Sequence, residues 1–87
     1  MAELLFKILN LCYEITQTTQ VDVFFYYAAH INCVSVNYYK GGYNADEDAI
    51  YIKDISGITS LIKCDEMELT ALIDKLTELK SEVQNEL

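Results

Sequence analysis

Proline and arginine are both absent from this chain, and its 87 residues include one histidine, three cysteines and three glycines. With no proline, no low-complexity tract and no repeat, nothing marks a linker, and residues 1–87 are expected to form a single domain. With no arginine, six lysines stand against fourteen carboxylates, a formal net charge of −8. A phosphate backbone is repelled by most of such a surface, so direct nucleic-acid binding is not expected. The lone His30 and the scattered Cys12, Cys33 and Cys64 supply neither four zinc ligands nor a base beside a nucleophile. No catalytic residue, metal ligand or cofactor is therefore assigned, and the chain is expected not to be an enzyme. Three widely spaced cysteines suit buried thiols in a reducing compartment better than a disulfide framework. Glu3, Lys7, Asn10 and Glu14 interrupt the first apolar segment, and no stretch reaches ~18 apolar residues, so neither a secretory leader nor a membrane span is expected. The expected location is the cytoplasm.

What the chain does have is apolar mass in clear periods. Over half of it is hydrophobic, too much for a disordered segment, although a chain this short has room for only one modest core. Leu4, Leu5, Ile8, Leu11, Cys12 and Ile15 recur at steps of three and four, which predicts a helix over residues 2–18. From Val21 the period becomes two. Val23, Phe25 and Tyr27 alternate with Asp22, Phe24 and Tyr26, and after a connection at 28–30, Val34, Val36 and Tyr38 alternate with Cys33, Ser35, Asn37 and Tyr39. The two runs predict a hairpin. Gly41 and Gly42 open a turn, and alternation resumes over residues 49–54 through Ile50 and Ile52 as a third strand. Residues 55–63 mix loop formers with Ile58, Leu61 and Ile62, leaving a short extra strand or a helical turn open. Asp65 with Glu68 reads as a capping box, followed by Leu69, Leu72, Ile73, Leu76, Leu79 and Val83 on one helical stripe.

The expected fold is thus α+β in the order α-β-β-β-α, two layers, with both helices on one face of a three-stranded antiparallel sheet. Its other face would carry Phe24, Tyr26, Tyr39, Tyr51 and Lys53, a candidate interface, because an exposed aromatic patch of that size is unusual on a monomer. The remaining cues are weaker. Asn44, Asp46 and Asp48 imitate the start of a calcium loop, but Ala49 stands where the pattern needs glycine and Ile55 where it needs a bidentate glutamate. The second helix segment carries seven acids against Lys75 and Lys80. Asp46, Glu47, Asp48, Glu78, Glu82 and Glu86 are therefore a candidate acidic surface.

The run Val23-Phe24-Phe25-Tyr26-Tyr27-Ala28-Ala29-His30-Ile31-Asn32-Cys33-Val34-Ser35-Val36, followed by Tyr39-Lys40-Gly41-Gly42-Tyr43, resembles a family of small uncharacterised proteins of bacteriophages and prophages of Gram-positive bacteria. The resemblance spans roughly the central half of the chain and the acidic last helix. A glycine commonly precedes the histidine in that pattern, where Ala29 stands here. The family has no established catalytic residues to transfer. The resemblance implies a phage accessory protein that binds another protein or itself, a homodimer being one form of this, through the sheet face. The alternative is an acidic inhibitor of a host defence nuclease, similar in size and charge to the anti-CRISPR and anti-restriction proteins that imitate DNA. A double-stranded-RNA-binding domain shares the element order, but its basic charge is missing.

Overall fold

The computed structural model describes residues 1–85, with side chains through Gln84. Helix α1 (Ala2–Thr18) turns Ile8, Cys12 and Ile15 inward, the heart of the predicted stripe. Its end is set by threonines. The hydroxyls of Thr18 and Thr19 donate to the Glu14 and Ile15 carbonyls, both at 2.7 Å, and Thr19 then leaves in an extended conformation. The Ile15 carbonyl also accepts the Thr19 N–H at 3.0 Å, so side-chain and backbone bonds together close the last turn. One turn earlier, the Thr16 hydroxyl accepts the Val23 N–H at 3.1 Å, blunting the start of the outer sheet edge.

Strands β1 (Asp22–Ala28) and β2 (Cys33–Tyr39) form the predicted antiparallel hairpin, in register from Asp22 opposite Tyr39 to Ala28 opposite Cys33. Asn32 closes the connection at φ 50°, a left-handed conformation that asparagine tolerates better than most residues. The third strand comes in two pieces. β3 (Ile50–Tyr51) pairs with β2 at Tyr38 and Asn37, and Ile52 N–H still donates to the Val36 carbonyl at 2.9 Å. Residues 53–61 then leave the sheet. The chain returns as β4 (Ile62–Lys63), which pairs with β2 at Val34 and Cys33. Thus β2 is central, with β1 along one side and β3 and β4 in tandem along the other.

The extra strand left open in the sequence is therefore real, and its physical origin is visible in the excursion. The Asp54 carboxylate accepts the Ser56 hydroxyl at 2.6 Å and the Ile58 N–H at 3.3 Å, while Asp54 N–H donates to the Thr59 carbonyl. These local bonds stand in for the lost ladder. They also hold the Asp54 carboxyl below its ordinary range, the Ser56 hydroxyl being the largest contributor. Helix α2 (Glu66–Asn85) anchors the same segment: Lys75 Nζ donates to the Lys53 carbonyl at 2.6 Å, and the Glu68 carboxylate accepts Ile55 N–H at 3.1 Å. Asp65 caps α2 by accepting the Glu68 N–H at 2.8 Å. The reciprocal arm of the capping box is replaced by the bond to Ile55.

Alternation explains the layers. Val34, Val36, Ile52 and Ile62 lie on the sheet face that meets Ile8, Cys12 and Ile15 of α1 and Leu69, Leu72, Leu76 and Leu79 of α2, forming one buried cluster. Each such aliphatic side chain contributes about 1.5–3 kcal/mol on burial. The two helices also pack on each other, joined at their surface by the Lys80–Glu14 ion pair. The fold is α+β as expected, with both helices on one side of the sheet. Among the described residues no helix is long and apolar enough to cross a membrane.

Candidate functional site

The same alternation that fills the core sends Phe24, Tyr26, Ser35, Asn37, Tyr39 and Tyr51 to the opposite face of the sheet, away from the helices. Phe24, Asn37 and Tyr51 form one row across three strands. Asn37 stands in its middle, and its flanking rings leave it only 7% exposed. Tyr26 pairs with Ser35 in the next row, but Ser35 has no neighbour on its other side, because that is where the chain leaves for the excursion of residues 53–61. The missing position opens a concavity of about 390 Å³ above Ser35 and Asn37.

Its rim is aromatic. The rings of Phe24 and Tyr39 meet edge to face at 5.8 Å, and Tyr43 meets both, Phe24 at 6.0 Å and Tyr39 at 5.2 Å. Edge-to-face pairs of this kind are worth roughly 0.5–1.5 kcal/mol each beyond their burial, so the three rings brace one another. Tyr26 and Tyr51 complete the rim and remain more than half exposed, at 59% and 51%. The Tyr39 hydroxyl is pushed above its ordinary pKa first by partial burial, then by the neighbouring hydroxyls of Tyr43, Tyr51 and Tyr26 and by the Asp48 carboxylate.

Of the five residues expected on this face, Phe24, Tyr26, Tyr39 and Tyr51 are brought together and Lys53 is not. β3 ends at Tyr51, two residues before Lys53, which lines a separate groove at the sheet edge with Lys75, Glu78 and Glu82. Three participants were missed. Asn37 and Ser35 carried a signal, since they alternate with Tyr39 on the polar side of β2. Tyr43 carried none, because it lies outside any periodic run and reaches the site through a tertiary bond of its backbone to Asp22.

The candidate acidic surface is divided. Asp46, Glu47 and Asp48 are exposed in the loop before β3, where Asn44 accepts the Asp46 N–H at 3.0 Å and so stabilises a turn. Glu78 and Glu82 belong to the edge groove and share it with two lysines, and Glu82 also pairs with Lys40 at 3.4 Å. Glu86 lies outside the described residues. Among the described residues no group of three His, Cys, Asp or Glu side chains is placed to hold a metal ion. His30 is exposed at the hairpin turn, whereas Cys12 sits in the core and burial pushes its thiol up to about 12.

No family model, curated protein or solved structure matches this chain.

Proposed function

We propose that this protein is a binding module, not an enzyme, and that the aromatic face of its sheet is the surface that engages another protein or a second copy. The observation that carries this reading is the braced ring cluster of Phe24, Tyr39 and Tyr43, with Tyr26 and Tyr51 beside it, on the side of the sheet that neither helix covers. Tyrosine-rich surfaces of this kind give large contact area at low conformational cost, which is why such residues dominate interface energetics. The resemblance of residues 23–36 and 39–43 to phage and prophage proteins supports a role as a phage accessory protein in the host cytoplasm. The acidic-mimic alternative draws on the net charge of −8. Interleaving of Glu78 and Glu82 with Lys53, Lys75 and Lys40 favours the aromatic face over it.

The experiment compares the wild-type chain with Tyr26→Ser/Tyr51→Ser, two exposed positions whose loss leaves the core intact. Light scattering behind size exclusion reports self-association, and quantitative capture from a Gram-positive host lysate reports other partners, with circular dichroism to confirm folding. Loss of self-association or of a captured protein in the folded variant supports the reading. Identical behaviour of the two proteins overturns it, and protection of DNA from a defence nuclease by both would move the function to the acids.

A further inference from the structure

Beyond the aromatic face, the outer side of β1 is a second open surface. We infer that a second copy of the chain occupies it, the two β1 strands pairing antiparallel about a two-fold axis at Tyr26. Strand edge, register and the adjoining helix face each point to that occupant.

Among the described residues β1 stands at the end of the sheet order and pairs only with β2. The bond from Ile52 N–H to the Val36 carbonyl turns the backbone of Val36 toward β3, so Phe25, opposite Val36, has its own N–H and C=O directed out of the sheet. By alternation Val23 and Tyr27 are directed outward as well. Thr16 takes the Val23 N–H at 3.1 Å, whereas the outward groups of Phe25 and Tyr27 have no such partner among the described residues. Nor does the sequence blunt this edge: residues 23–27, Val-Phe-Phe-Tyr-Tyr, include no charge, glycine or proline.

Hydrogen-bonded pairs form only where outward residues stand opposite one another. With Tyr26 on the axis, Phe25 of each copy meets Tyr27 of the other, and the N–H and C=O groups of both residues are all satisfied. Centred on Phe25 instead, the pairing sets the Tyr27 carbonyl against the Val23 N–H that Thr16 already holds. The threonine cap thus selects the register.

The helix beside the edge separates a second copy from a foreign strand. Phe6, Leu9 and Tyr13 follow one another at steps of three and four along α1, and all three are exposed. Leu9 and Tyr13 line a groove with Val23 and Phe25, which places this stripe directly along the open edge. An extended segment of another protein would pair with β1 and leave the stripe in water. A second copy brings its own α1 to the axis and covers it. Phe6, Tyr13, Tyr26 and Tyr27 are each 52–69% exposed. At ~200 Å² per aromatic side chain they offer roughly 500 Å², the larger part of the ~800 Å² that each partner of a standard interface buries, before Leu9 and the strand backbone are added. The surface is also uncharged: none of Phe6, Leu9, Tyr13, Thr16, Phe25 and Tyr27 ionises at neutral pH, so two chains of net charge −8 meet where neither places an acid. The pairing makes one sheet of both copies and joins their aromatic faces across the axis.

The test measures the mass of the full chain by light scattering behind size exclusion at about 100 µM, above the micromolar range of the weakest interfaces of this size. The expected mass is that of two chains. In deuterated buffer, nitrogen-15 spectra should show the outward Phe25 and Tyr27 amides exchanging within about tenfold of the Phe24 and Tyr26 amides that face β2, because pairing protects both sets. Leu9→Glu/Tyr13→Glu, at exposed positions on α1, should weaken the pair by about a hundredfold or more, and so should Tyr27→Pro, which removes an outward N–H but no bond to β2. Circular dichroism confirms that the variants fold. A single-chain mass, free exchange at Phe25 and Tyr27, or a dimer that survives the folded variants overturns the proposal. Masses that climb beyond two chains overturn it too, since a closed pair stops at two. If Tyr51→Ser on β3 abolishes the pair while Leu9→Glu/Tyr13→Glu keeps it, the copies meet through their aromatic faces; the reading of that face then stands and this inference falls.

Discussion

The Asp22 carboxylate accepts the backbone N–H of Tyr43 at 2.8 Å, joining the first residue of β1 to a loop residue twenty-one positions later. This bond sets Tyr43 against Phe24 and Tyr39, so one carboxylate positions a third of the ring cluster without touching a ring. Asp22→Ala should cost about 1.5–3 kcal/mol, the range for a hydrogen bond with one charged partner. It should also weaken the near-ultraviolet circular dichroism of the tyrosines and speed hydrogen exchange at Tyr43. Unchanged exchange at that amide would show that the loop is held by something else.

Two adjacent glycines should behave differently. Gly42 sits at φ +90°, where a side chain is strained, although a Cβ would meet Gln20 O and Asp22 Oδ2 at ordinary distances of 3.5 and 3.6 Å. Gly41 has open space around it and no positive φ. Gly42→Ala should therefore lose roughly 1–2 kcal/mol in urea unfolding, by conformational strain and not by clash. Gly41→Ala should be near neutral, and equal losses at the two positions would contradict the turn geometry.

These two bonds and turns also mark where sequence reasoning ends. Period-two and helical spacing were enough to place α1, the hairpin, α2 and the two faces of the sheet, because burial on one side imposes them residue by residue. Phe24, Tyr26, Tyr39 and Tyr51 followed from that alternation. The excursion of residues 53–61 did not, since Ile52 and Ile62 keep strand character on both sides of a local network centred on Asp54. Lys53 was placed on the aromatic face for the same reason. A break in a strand depends on which carboxylate finds which N–H, and residue type alone does not carry that information.

The contact between helices should respond to acid. Lys80 donates a hydrogen bond to Glu14 and attracts its charge, which together hold the Glu14 carboxyl below its ordinary 4.5. Because the folded pKa is the lower one, the stabilisation is complete above pH 4.5 and is lost as pH falls from there through the folded value. Urea midpoints measured across this window should drop less steeply for Glu14→Gln than for the wild type. Parallel pH profiles would mean the pair adds nothing, as holds for many exposed ion pairs.

Thiol chemistry should report the core. Burial raises the Cys12 thiol to about 12, so little thiolate forms at pH 8, whereas Cys64 is only partly buried. Iodoacetamide at that pH should label Cys64 before Cys12 in the native protein, and Cys12 at an ordinary rate only in urea. Peptide mass spectrometry distinguishes the two sites. Early labelling of Cys12 in the absence of denaturant would mean that α1 detaches readily from the sheet.

The divided third strand separates what the sheet needs from what the chain spells. Hydrogen bonding to β2 stops at Val36 and resumes at Val34, so the ladder constrains the two ends of residues 53–61 and says nothing of their number or identity. Lengthening such a loop costs only about 0.6 kcal/mol per doubling. Ile58, 81% exposed, lies in this segment. It is where this scaffold can absorb insertion, drift or a grafted epitope while the Asn37 floor beside it stays in register.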